Sequence, residues 1–219
     1  MSDDPLLKSA ERYARERLSD KRYDHTLRVA AAAENLAEAH GLDRKRVRLA
    51  ALLHDSSREV GPDELLRLAG ERGLPVGPSE RESPKLLHGP VAAELAREDL
   101  GVESETVLGA IRAHTTGAPG MDPVALALFL ADKIEPARNY PGIETLRSLA
   151  ERDLKSAARW LLIHAVFVST RSPSSISVPM VTISALLMVP FSAAAFSARA
   201  FSFCIFLFYN PCHERRPPS

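Results

Sequence analysis

Between residues 5 and 163 apolar side chains recur at three- and four-residue spacing, in segments broken by Gly, Pro and Asp, and no run alternates apolar with polar. That pattern limits the chain to helices packed on helices, because an alternating period is what a half-buried strand requires. The fold class it predicts is all-α, a helical bundle. A charged helix over about 6–18 is opened by Pro5, and Ser19-Asp20 offers capping oxygens to a second helix over about 22–40 that ends at Gly41. A third begins after Asp43 and runs to His54-Asp55, and Gly61-Pro62-Asp63 opens a short fourth over 64–68. Gly73, Pro75, Gly77 and Pro78 form a loop. Further helices are expected near 90–100, 103–114, 123–134 and 143–163.

Histidines and aspartates fall at the ends or polar breaks of these segments: His25, His54-Asp55, His88, His114 and Asp132. Side chains at such places can converge on one pocket. An adjacent His-Asp pair offers imidazole and carboxylate to one borderline or hard divalent ion, and a further histidine and carboxylate complete a mixed sphere with positions left for water. Such a set is catalytic in composition, since structural sites are usually closed and rich in cysteine. Each residue also has a plainer reading. His25 can be a core or cap histidine, His88 a turn residue before Gly89-Pro90, and Asp132 the end of a helix or a partner of Arg138. His40, before Gly41, reads as a C-terminal residue facing the helix dipole.

Charge narrows the functions further. Lys+Arg and Asp+Glu both number 28, so the chain has no general attraction to a nucleic-acid backbone. Cys204 and Cys212 both lie near the C-terminus, away from the histidines, which implies neither a thiolate metal site nor a disulfide framework. With a charged N-terminus lacking an apolar core, this fits a cytoplasmic setting. Exposed apolar helix faces would permit a homodimer.

The ordered blocks RYDHTLRVA, LAALLHDSSRE, LLHGPVAAELA, AIRAHTTGAPGM and FLADKIEPARNYPGIETLR resemble the HD superfamily of metal phosphohydrolases, and within it the YqeK-type symmetrical dinucleoside-tetraphosphate hydrolases. The resemblance covers about residues 5–164. It implies symmetrical hydrolysis of diadenosine tetraphosphate to two ADP by a metal-activated water. It implies that His25, His54, Asp55 and Asp132 hold the metal, similar to an iron site, with manganese or another divalent ion as alternatives. His88 and His114 would then lie beside the phosphates or complete a second metal position, acting with Asp55 in catalysis. Arg22 and Arg138 match positions that contact nucleotide phosphates, for which a planar guanidinium is suited; by themselves they read as surface ion pairs. Arg58 stands where many relatives have lysine, which changes the donor geometry there. Two other readings are a different HD nucleotide phosphohydrolase and a non-catalytic nucleotide-binding module.

The chain divides in composition. Residues 1–155 carry 23 basic and 27 acidic side chains, whereas 156–219 carry 5 and 1. Residues 1–165 are therefore expected to form the HD domain, and 166–219 an atypical low-charge tail without the family's His-Pro loop, frame-shifted or disordered. A membrane span there is disfavoured because Pro179 and Pro190 interrupt the uncharged stretch.

Overall fold

The computed structural model describes residues 4–170, with side chains to residue 164. The helices are α1 (Pro5–Arg17), α2 (Asp20–Ala39), α3 (Arg44–Leu53), α4 (Pro62–Glu71), α5 (Pro78–Glu82), α6 (His88–Leu100), α7 (Glu105–Ala113), α8 (Pro123–Ile134), α9 (Ile143–Arg152) and α10 (Leu154–Thr170), with a 3-10 turn over Pro84–Leu87. No strand occurs among the described residues, so the all-α expectation holds. The chain forms two units, Met1–Trp160 and Leu161–Ser219, and all that follows concerns the first. Beyond residue 170 the expected low-charge tail and its membrane alternative lie outside the described residues.

The centre of the first unit is α8. Asp122 caps it by accepting from the Ala125 N–H at 2.8 Å, and Pro123 occupies its first turn, where a missing N–H costs nothing. Every residue from Val124 to Ile134 is buried. Such a helix needs neighbours on all sides, and α2, α3, α7 and α9 supply them. Ala30, Ala33 and Ala37 on α2, each at most 1 % exposed, lie along one helical face and let neighbouring backbones approach closely. Leu65, Ala69, Leu87 and Val91 form a smaller apolar cluster beneath the loop before α5.

Local details depart from the sequence reading in instructive ways. The hydroxyl of Ser19 does not cap α2; it donates to Glu59 at 2.7 Å, while Asp20 pairs with Arg15. The loop after α4 contains α5 and the 3-10 turn, and α6 starts at His88, two residues before the expected position. The helix expected over 143–163 is two helices. Asp153 turns extended and its carboxylate caps α10 through the Lys155 and Ser156 N–H groups, a cap the apolar periodicity alone conceals. His40 sends Nε2 to the carbonyl of Ala150, 2.7 Å away on α9, so it ties two helices together.

Candidate metal centre

Four buried imidazoles, carried by or directly following α2, α3, α6 and α7, meet around Asp55. His25 lies within the second turn of α2, not at its end, and helical spacing sets Arg22, His25 and Arg28 along one face. His54 and His114 directly follow α3 and α7, and His88 opens α6. Ring centroids are 5.8 Å apart for His25 and His54, and 4.9 Å apart for both His54–His114 and His88–His114.

Hydrogen bonds fix which nitrogen each ring presents. His54 Nδ1 is 2.6 Å from the carbonyl of Ala51, His114 Nδ1 is 2.7 Å from that of Ile111, and His88 Nδ1 meets that of Lys85. A carbonyl only accepts, so each Nδ1 carries the proton. The partner is three residues upstream in every case, and for His54 and His114 it lies in the last turn of a helix, where carbonyls lack an intrahelical donor. One arrangement thus satisfies the helix end and turns Nε2, as a lone pair, toward the centre. His25 does the same with a side chain: its Nδ1 is 3.2 Å from Glu135 Oε1.

Asp55, 1 % exposed, stands between the rings and divides its oxygens. Oδ2 is 3.9 Å from His25 Nε2 and 3.6 Å from His54 Nε2. Oδ1 is 3.2 Å from His88 Nε2 and 3.6 Å from His114 Nε2. Two ligand groups result, His25-His54-Asp55 and Asp55-His88-His114, each with its donor atoms within 4.8 Å of one another. Ligands held about 2.1 Å from one ion are separated by roughly 3.0–3.5 Å, and the Asp55 gaps of 3.2–3.9 Å are close to that.

The donor chemistry fits a cation. His25 Nε2, His54 Nε2 and Asp55 Oδ1 are buried without a hydrogen-bond partner. His88 Nε2 and His114 Nε2 lie 3.0 Å apart, with the Thr115 hydroxyl 3.2 and 3.1 Å from them. One hydroxyl proton cannot serve both rings. Burial pushes His54 down to about 4 and also lowers His88 and His114, so these rings are neutral near pH 7. Acceptor atoms converging in a dry space call for positive charge, and a divalent ion supplies it.

Asp132, expected to share the ion with His25, His54 and Asp55, lies near but is otherwise engaged. Its Oδ1 is 3.1 Å from His25 Nε2, without hydrogen-bond geometry, and accepts from Arg138 Nη2 at 2.9 Å; its Oδ2 meets Lys133 Nζ. Arg22 donates to Asp55 Oδ2 at 3.0 Å. The two arginines expected at the phosphates therefore sit on the two aspartates, Arg22 on Asp55 and Arg138 on Asp132. Three residues here escaped the sequence reading: Lys133, Thr115 and Glu135. Glu135 stands three positions beyond Asp132, one helical turn on, which was the available signal.

These shifts predict how the metal-free protein responds to acid. Unfolded histidines bind protons near pH 6.5, whereas folded His54, His88 and His114 resist them, so stability falls as pH drops below about 6.5. His54 alone, displaced from 6.5 to about 4, contributes about 3 kcal/mol over that window. His25 acts oppositely: burial lowers it, but Asp132 and Glu135 more than offset this, and its contribution fades as pH rises through its raised value. Three rings outweigh one. With excess chelator, Tm is expected to fall steadily from pH 6.5 to 4; a flat Tm would contradict these ring environments.

The HD domain family matches residues 22–137, the span that carries all four histidines, Asp55, Asp132 and Glu135. The chain belongs to the HD domain family. Within it, the chain is 38% identical over 143 residues to the symmetrical bis(5'-nucleosyl)-tetraphosphatase of Bacillus subtilis, covering 65% of this chain and 76% of that one. The enzyme of the same name from Halalkalibacterium halodurans is 39% identical over 149 residues, covering 68% and 79%. A crystal structure from Clostridium acetobutylicum, described as an HD superfamily hydrolase involved in NAD metabolism, superposes with a TM-score of 0.68 at 32% identity, covering 74% of this chain and 84% of that one. The HD dipeptide is His54-Asp55, and the HD domain here is the part of the fold that gathers the two ligand groups.

Proposed function

We propose that this chain hydrolyses diadenosine tetraphosphate symmetrically, giving two ADP, with iron as the resident divalent ion and manganese as a working substitute. One observation carries the reading: a single buried carboxylate, Asp55, gives one oxygen to each of two histidine pairs whose Nε2 atoms are committed inward. The names of the relatives support the substrate. In this reading His25, His54, Asp55 and Asp132 hold the ion, and His88 and His114 face the scissile phosphate or hold a second ion with Asp55. A bound divalent ion supplies charge neutralisation at a phosphoryl oxygen and water acidified toward neutral pH.

The chain's own residues do the rest. Asp55, kept as the anion, orients the attacking water, whose proton passes to the Nε2 lone pair of His88 or His114. Arg22 and Arg138, with side chains 31% and 20% exposed, can swing from the aspartates to phosphate oxygens when substrate enters, since a polyphosphate offers each guanidinium two oxygens at once. Arg58, which acts electrostatically on both His88 and Lys85, adds positive charge at the His88 end. Burial keeps solvent from screening these groups. The departing ADP is weakly basic, so the reaction depends little on a dedicated general acid. The cytoplasm, reducing and rich in nucleotides, is the setting proposed for it.

The test is to incubate the full chain with iron(II) or manganese(II) and diadenosine tetraphosphate and separate the nucleotides. ADP alone is expected. ATP together with AMP would overturn the symmetrical reading, and cleavage of other nucleotides in preference would assign the centre to a different phosphohydrolase.

A further inference from the structure

We propose that Glu135 is the positioning residue that commits His25 to the metal centre, by accepting its Nδ1–H from outside so that Nε2 faces Asp55 and Asp132. The inference rests on the function proposed above and names a residue that neither ligand group contains.

The argument starts from where His25 stands. His54 and His114 directly follow helices and His88 follows a 3-10 turn, so each can use an upstream carbonyl as its Nδ1 acceptor. His25 lies inside α2, where upstream carbonyls are already engaged by the helix itself. Its acceptor must come from another element. Glu135, 110 residues away, provides it at 3.2 Å.

Glu135 is built for this work. It leaves α8 with an extended backbone (φ −51, ψ 151), which aims its side chain at α2 instead of continuing the helix. It is 3 % exposed, too buried for a carboxylate without assigned partners. Oε2 accepts from Arg28 Nε and the Ala137 N–H, both at 2.8 Å, and Oε1 faces His25. Both oxygens are thereby turned from the ion-holding space, so Glu135 orients a ligand without being one. Arg147 holds the segment in place by donating to the carbonyls of Ile134, Glu135 and Arg138 at 3.1, 3.1 and 3.2 Å. Outer partners of metal-bound histidines fix ring orientation, and their loss typically weakens metal binding ten- to hundredfold.

The experiment compares the full wild-type chain with Glu135→Met, which removes both oxygens at similar length, and Glu135→Gln, which keeps one acceptor. Manganese(II) affinity is measured by calorimetry, and the imidazole nitrogens of the metal-free proteins by long-range proton–nitrogen NMR at alkaline pH. For Glu135→Met, affinity is expected to fall ten- to hundredfold, and only His25 should lose its Nδ1–H pattern. His54, His88 and His114, bonded to backbone, should keep theirs; a merely structural defect would disturb all four. Glu135→Gln should retain the His25 pattern and bind with intermediate affinity. If Glu135→Met does not fold, Glu135→Asp withdraws the acceptor by one methylene and should weaken binding at least fivefold. Wild-type affinity in the Met or Asp variant, or an unchanged His25 signal in Glu135→Met, overturns the positioning role alone. Failure of the wild-type chain to bind manganese(II) overturns the metal reading with it.

Discussion

Asp55→Ala is expected to lower hydrolysis of diadenosine tetraphosphate by roughly 10³-fold or more, about 4 kcal/mol of transition-state stabilisation. The size follows from the carboxylate's double duty. Its two oxygens face two histidine pairs, so one truncation removes a donor from both ligand groups and the group that would orient water. Burial opposes its charge, yet His54, His114 and His88 hold its pKa well below the ordinary carboxylate range. The anion is therefore present throughout the working pH range. The fold should survive, because the turn after α3 is held by backbone bonds such as Arg58 N–H to Asp55 O at 2.7 Å, and Arg22, left without its partner, reaches solvent. Metal content, turnover and far-ultraviolet circular dichroism together check this. Near wild-type turnover would remove Asp55 from the centre.

Gly89→Ala is expected to cost roughly ten- to hundredfold in turnover without replacing any ligand. A Cβ at position 89 would sit 2.9 Å from the Ile111 carbonyl oxygen and 3.2 Å from Cε1 and Nδ1 of His114. That carbonyl is the acceptor that orients the His114 ring, so the methyl group presses on both members of one hydrogen bond. Two effects compete. Alanine gains up to about 1 kcal/mol of helix propensity over glycine within α6, whereas forcing a methyl group into a packed site costs about 1–3 kcal/mol. The obstructing atom is backbone and cannot rotate aside, so the cost should win, with Tm a few degrees lower. Displacements of about 1 Å in a catalytic constellation can cost 10²-fold. Gly109→Ala on α7 is the control, because a Cβ there meets nothing within 4 Å and should leave Tm unchanged or raised. If Gly89→Ala matches wild type in turnover while raising Tm, the close packing of α6 on α7 is not what holds His114.

Much of this was legible in the chain, and the misses have physical causes. The bounds of α8 coincide with the reading because its signals are local: Asp122, Pro123 and an unbroken apolar run. The break between α9 and α10 was hidden because Asp153 is neither Gly nor Pro, and its capping role appears only in its backbone angles. Ser19 looked like a cap, yet the competing acceptor, Glu59, is 40 residues away. His25, His54, Asp55, His88, His114 and Asp132 could be named in order from their places along the helices. Glu135 could not, because its importance lies in which ring it touches.

Residue types and their helical spacing, read in one dimension, determined that this protein is all-α and that imidazoles and carboxylates punctuate its helices. These are short-range properties, set by propensity, capping and periodicity within a turn or two. The tertiary structure alone decided that Asp55 divides its oxygens between two histidine pairs, that Arg22 and Arg138 rest on the aspartates, and that Glu135 turns His25 inward. Apart from the adjacent His54 and Asp55, those relations join residues 6 to 110 positions apart, and they exist only because α2, α3, α6, α7 and α8 are packed into one unit. No local rule encodes which distant carboxylate a buried ring will meet; the packing of the helices does.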